Sequence, residues 1–203
     1  FEKYGSKKIC SYCFLRSNDY LKNTGSKIVK FSNFINREEL NKINNLHFDD
    51  DILNDIKKFK LNGINIGEHA NSGTIRYFSS TNFKKFANSK EILIKYLKSA
   101  LVTQKVSENL FNKKSYDEMF INHGIYVPQG VILDCAKKFG INTSTWCFAY
   151  TRNSVNITRD DTYHRALIQE KEEKWNDFDF DQKAEKKIDD FLEHRRNSKS
   201  VSI

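Results

Sequence analysis

The sequence predicts an α/β fold: a parallel sheet with flanking helices and a helical N-terminal elaboration. Three observations lead there. Between Tyr116 and His164, three apolar strand-like runs each end in a polar cluster. Met119–Ile121 opens into Asn122-His123-Gly124, Thr143–Tyr150 into Thr151-Arg152-Asn153, and Val155–Ile157 into Arg159-Asp160-Asp161. Second, Gln129 to Phe139 places Val131, Ile132, Cys135, Ala136 and Phe139 at helical spacing. A strand–helix–strand return of this length reads as a parallel crossover, with all three strands parallel neighbours. Third, helical periods dominate the chain ahead of Tyr116.

Taken in order, Ile9 to Tyr20 fits strand or helix, and Lys27 to Phe31 reads as a short strand. A helix follows over Arg37 to Leu46, capped by Ser32 or Asn36; the Asn36-x-x-Glu39 spacing is that of a capping box. Asp49 to Phe59 repeats the helical pattern with Ile52, Leu53, Ile56 and Phe59 on one face. Asn62 to Gly67 is turn-rich, and His69 to Phe78 follows with Arg76 inside it. A long helix runs from Asn88 or Ser89 to about Phe111, with Ile92, Tyr96, Val102, Val106 and Leu110 on its apolar side. The last helix, Gln182 to His194, is expected to bury Ala184, Ile188, Phe191 and Leu192. No internal repeat interrupts this order.

At 203 residues with 38% apolar content the chain can build a real core, and we expect one domain over 1–203. No apolar run approaches the ~20 residues that span a bilayer. Phe1 to Tyr4 lacks the apolar stretch of a secretory leader, so a reducing cytoplasmic compartment is expected. A start without Met and an end in Ser198–Ile203 suggest a piece of a longer protein. The net charge of +8 raises the odds of a polyanionic partner. The lysines, however, fall as scattered pairs, from Lys7-Lys8 to Lys186-Lys187, and no nucleic-acid motif accompanies them. A cationic solvated surface is the better reading, and no specific nucleic acid is expected. Cys10 and Cys13 form a lone Cys-x-x-Cys, whereas a structural zinc site wants four ligands. Reduced structural thiols are preferred over a redox pair or a metal site, and no metal is expected.

Ligands of open parallel sheets sit at the carboxyl ends of the strands, which is where the polar clusters fall. His123 lies between a strand and a helix, beside Gly124 and ahead of Pro128. An imidazole there suits a general base at neutral pH, and Asn122 and Gly124 flank it. Pro128 fits the first helical turn, where its missing N–H costs nothing. Tyr150 and Arg152 close the second strand, where a guanidinium would take a phosphate or carboxylate through paired hydrogen bonds. At the third strand end, Asp160 or Asp161 can cap a helix, which leaves Asp161, Tyr163 and His164 as hydroxyl ligands. Glu68, His69, Ser72 and Arg76 form a fourth polar group. Each of these has an ordinary structural alternative, such as a satisfied turn histidine or a surface ion pair. The chain has no phosphate-loop, dinucleotide, zinc-protease or serine-hydrolase signature.

The run NHGIYVPQG, the helix after it, Trp146 in the next strand, Tyr150-x-Arg152 and Asp161-Thr162-Tyr163-His164 together resemble bacterial capsule-polysaccharide-type glycosyltransferases. The resemblance covers about Tyr116 to Arg196, with Cys10-x-x-Cys13, Ile66-Gly67-Glu68 and Arg76-Tyr77 as weaker echoes upstream. It implies a GT-B enzyme with two Rossmann-like domains facing across a cleft. This chain would match the N-terminal, acceptor-side domain, ending in the Phe191-Leu192-x-x-Arg195 helix that leads to a missing C-terminal domain. It also implies a nucleotide-sugar donor, a glycan or lipid-linked acceptor, His123 facing the cleft and no bound cofactor. Location would be cytoplasmic, compatible with peripheral contact to the inner membrane. No donor-site signature is visible, so the isolated domain is expected to be inactive. The alternative is a non-catalytic basic module that docks on nucleic acid or an anionic membrane surface.

Overall fold

A computed structural model describes residues 6–149, 153–176 and 181–197. They form a mixed α/β structure that divides after Tyr163 into two compact units. The first holds α1 (Ser6–Asn23), α2 (Arg37–Asn44), α3 (Asp50–Asn54), α4 (Ile66–Phe78), α5 (Ser89–Lys113), β1 (Glu118–Asn122), α6 (Gln129–Lys138), β2 (Asn142–Phe148) and β3 (Val155–Arg159). The second begins within α7 (Tyr163–Gln169) and continues through α8 (Glu173–Asn176) and α9 (Gln182–Asn197).

Local chemistry sets the boundaries. Helix α2 starts on a complete capping box: Asn36 Oδ1 accepts the Glu39 N–H at 2.8 Å, and Glu39 Oε2 accepts the Asn36 N–H at 3.0 Å. Lys27 to Phe31 forms no strand; a 3-10 turn at Phe31–Asn33 leads into the cap instead. The single helix expected over Asp49 to Phe59 is broken at Asp55 (φ −112°, ψ 40°), and a 3-10 turn follows at Ile56–Lys58. The break drops Ile56 into the core and brings its carbonyl against Gly67. Helix α4 ends at Ser79 in the left-handed region (φ 49°), where the Ser79 and Ser80 N–H groups return to the carbonyls of Arg76 and Ile75.

The core gathers Leu53, Ile56, Ile64, Ile66 and Ala70 around the inner line of α5 (Leu93, Leu97, Ala100, Leu101) and the face of α6 carrying Val131, Cys135 and Ala136. The stripe expected on α5 is displaced by about one residue, so that Ile92, Tyr96 and Val102 flank the contact half-buried. Burial presses the Cys135 thiol up to about 12, so it stays a protonated packing group.

β1 and β2 are parallel (Met119↔Thr143, Ile121↔Thr145), as the crossover through α6 requires. β3 runs antiparallel to β2 (Trp146↔Ile157), against the expectation of three parallel strands. The reason is length: the span from Phe148 to Val155 is much shorter than the roughly dozen residues of a parallel crossover. Thr143, Thr145 and Cys147 point into the core, while Phe120, Phe148, Val155 and Ile157 on the opposite face are exposed. In the second unit, Ile188, Phe191 and Leu192 of α9 are exposed rather than buried. Among the described residues, no helix is long and apolar enough to cross a membrane.

Gly67 tests the packing of the Ile56–Lys58 turn against α4. A Cβ there would lie 1.7 Å from the Ile56 carbonyl oxygen, while the Gly67 N–H donates to Phe59 O at 2.8 Å. Gly67→Ala should cost about 3 kcal/mol in urea unfolding. Gly140→Ala meets nothing within 4 Å and pays only for its positive φ of 71°, about 1–2 kcal/mol. Equal costs at both positions would contradict the packing described.

Candidate functional site

The site is built where β1 ends. The His123 N–H extends the parallel ladder to Trp146 O at 2.9 Å, and Asn122 Nδ2 donates to the same carbonyl at 3.2 Å. The chain then turns through two left-handed residues, His123 (φ 57°) and Gly124 (φ 70°). A Cβ on Gly124 would stand 2.7 Å from Leu133 and 2.9 Å from Thr145, so the second position requires glycine. The first is held by a histidine at some cost in strain, a pattern met where a side chain must be aimed. Tyr126 follows, edge-on to the His123 ring at 6.1 Å between centroids. Arg76 of α4 lies over the Tyr126 ring at 4.9 Å, and its Nη1 donates to the Tyr126 hydroxyl at 3.4 Å.

These side chains line a cavity of about 320 Å³ together with Tyr96, Gln129 and the bare backbone of Gly73. Gly73 is bare because the Tyr96 ring occupies the place of its Cβ, 2.7 Å away. His123 has its pKa lowered, first by burial and then by the Arg76 charge. At neutral pH its ring is therefore uncharged and able to accept a proton.

The loop is anchored from beneath. His69 is buried, its Nδ1 donating to Ile125 O at 2.7 Å and its Nε2 lying 3.0 Å from Asp134 Oδ2. The same carboxylate oxygen accepts the Asn65 N–H at 3.1 Å and Asn65 Nδ2 at 2.8 Å. Gly130 lets α6 pass close to the imidazole: a Cβ there would lie 2.2 Å from His69 Nδ1.

The structure thus brings Asn122, His123 and Arg76 to one cavity, with Gly124 behind them in a packing role. It does not bring Asp161 there. Because β3 is antiparallel, its end pairs with the start of β2 (Ser144↔Arg159). Asp161 then accepts Thr145 Oγ1 at its carbonyl and the Thr162 N–H at its carboxylate, both at 2.7 Å. Helix α7 begins at Tyr163, so neither Asp160 nor Asp161 is the residue before it. Glu68 and Tyr163 lie off the cavity, and His164 belongs to the second unit. Tyr150 and Arg152, and the side chains of Cys10 and Cys13, lie outside the described residues. Pro128 stands one position ahead of α6, not in its first turn. Among the described residues, no group of three His, Cys, Asp or Glu side chains converges as metal ligands would.

Comparison with protein-family models, with curated proteins and with solved structures finds no match to this chain. Sequence reasoning missed Tyr126, Tyr96 and the His69–Asp134 contact. Tyr126 stood inside the NHGIYVPQG run, three residues from His123, and was legible there. The His69–Asp134 pair, 65 positions apart, left no local signal.

Asp134 gives a pH test. Burial pushes its carboxyl up, but the hydrogen bonds from His69 and Asn65 outweigh this and hold it below the usual range. A depressed folded pKa means stability that is present above the unfolded value, about 3.9, and lost as pH falls through the folded one. Asp134→Asn should therefore cost about 2–3 kcal/mol at pH 7. That deficit should shrink as urea unfolding is repeated down to pH 3. A deficit independent of pH would remove the charge from the argument.

Proposed function

We propose that this chain is the acceptor-side, Rossmann-like part of a glycosyltransferase that moves a sugar from a nucleotide-sugar donor to a glycan or lipid-linked acceptor. The observation that carries the reading is His123: a neutral imidazole at the carboxyl end of a parallel β1–α6–β2 unit, opening on a polar cavity. The β1–α6–β2 unit is the element that Rossmann-like sheets repeat, and ligands lie at its carboxyl edge. The donor is held by a second domain facing this edge.

In this reading the acceptor hydroxyl enters the cavity and gives its proton to His123. Its oxygen bonds to the anomeric carbon as the bond from that carbon to the nucleoside diphosphate breaks, and the electron pair leaves on the diphosphate. Asn122 and Tyr126 offer hydrogen bonds to sugar hydroxyls, and the Tyr96 ring packed on Gly73 gives the cavity an aromatic wall. The enzyme works at the cytoplasmic side of the membrane, where nucleotide sugars are available.

The test uses a chain that includes the donor-binding domain. His123→Ala should lower transfer by about 10²-fold, the scale of a lost general base. Melting should stay within the small range of a site substitution away from core features. Activity depends on the neutral ring, so the acid limb of the rate profile should lie below the ordinary imidazole value of about 6.5. Arg76→Gln should move that limb to higher pH, because one of the two causes of the lowered pKa is then gone. Unchanged transfer in His123→Ala removes the assignment.

A further inference from the structure

Arg76 lines two cavities at once. One is the His123 cavity; the other, about 460 Å³, shares Arg76 and Tyr126 with it and is lined also by Ser72, Ser79, Ser80 and Thr81. Three features of the second cavity point to one class of ligand. Among the described residues, its lining carries five hydroxyl-bearing side chains and a guanidinium but no carboxylate. Among the described residues, Arg76 pairs with no acid; it meets the ring and hydroxyl of Tyr126. Stacking on a ring occupies the flat face of a guanidinium and leaves most of its N–H edge for a planar or tetrahedral anion. The negative end of α4, which would oppose an anion here, is muted, because the Ser79 and Ser80 N–H groups cap the Arg76 and Ile75 carbonyls.

We propose that this hydroxyl-lined cavity is a phosphate subsite, in which Arg76 and the Ser79–Thr81 turn hold the phosphate or diphosphate of a substrate whose hydroxyl reaches His123 next door. The bearer's identity rests on the glycosyltransfer reading; the phosphate chemistry does not. The placement has a consequence for His123. Among the described residues, the titratable groups lining its cavity are Arg76 from α4, Tyr96 from α5 and Tyr126 from its own loop, with no carboxylate beside the cation. A phosphate on Arg76 supplies that missing negative charge, so the bound substrate makes the neighbouring imidazole a better base.

The experiment needs neither donor nor sugar, so its failure is separable from failure of the glycosyltransfer reading. Inorganic pyrophosphate is titrated calorimetrically at fixed ionic strength into the wild-type chain, Arg76→Gln and Ser79→Ala/Ser80→Ala. Saturable binding is expected in the wild type, at least tenfold weaker in Arg76→Gln, which is about 1.4 kcal/mol, and measurably weaker in the double variant. Equal melting temperatures show that the variants are folded. Ring-proton NMR of His123 should move its titration to higher pH with pyrophosphate present, and Arg76→Gln should abolish that response. Two further arms separate the sources: a short alkyl diphosphate that binds better than pyrophosphate identifies a lipid-linked acceptor, and uridine diphosphate that does so identifies the nucleotide. No saturable pyrophosphate binding, equal affinity in Arg76→Gln, or an unmoved His123 titration overturns the subsite.

Discussion

The buried contact between His69 and Asp134 is the constraint on which the rest of the first unit depends. It joins three pieces distant in sequence: the start of α4 through Asn65 and His69, α6 through Asp134, and the β1–α6 loop through Ile125. Each nitrogen of the imidazole has an oxygen partner, the Ile125 carbonyl at Nδ1 and the Asp134 carboxylate at Nε2. The carboxylate in turn receives donors from both Asn65 and His69, which offsets the desolvation that makes buried charges costly. A node of this kind adds little net stability compared with an apolar core, but it tolerates almost no displacement. Gly130 and Gly67 are the steric counterparts, each marking a place where a backbone must pass too close for a Cβ.

The candidate site inherits its geometry from that node. Ile125 is two residues beyond His123, so fixing its carbonyl fixes the left-handed turn that aims the imidazole. Gly73 and Arg76 are carried by the same helix as His69, one and two turns further along. The position of the guanidinium over Tyr126 is therefore set by the anchor beneath it. A rigid floor allows a strained residue such as His123 to persist, since the surrounding contacts over-determine its conformation. It also explains why the loop can leave its polar edges facing the cavity.

Much of this was legible along the chain where the cause is local. The Asn36–Glu39 box, the α6 period and the polar turn after β1 each declare themselves within a few residues, and each was located. What failed is what depends on tertiary balance. The apolar period through Asp49 to Phe59 is honest helix pattern, yet burying Ile56 beside Gly67 breaks the helix at Asp55. The run at Val155 carries no sign of its direction, and only the short span from Phe148 makes the antiparallel choice, which displaces Asp161 from the cavity. Alternation within the strands told which residues share a face but not that Phe120, Phe148 and Ile157 would remain exposed on theirs. Arg76 could be seen as part of a polar group, but its meeting with Tyr126, 50 positions away, could not.

Two histidines on the first unit illustrate how environment, not residue type, assigns roles. His69 is buried between acceptors and spends its ring on them, so nothing is left for a ligand. His123 is partly exposed at a strand end, with the Arg76 guanidinium as a charged neighbour. Burial and the cation both disfavour its charged form, which keeps a lone pair in play at neutral pH. Exchanging the surroundings would exchange the roles: an acid beside His123 would charge it and lock it as a donor. Among the described residues neither cavity is lined by a carboxylate, which leaves an incoming anion as the natural partner for Arg76.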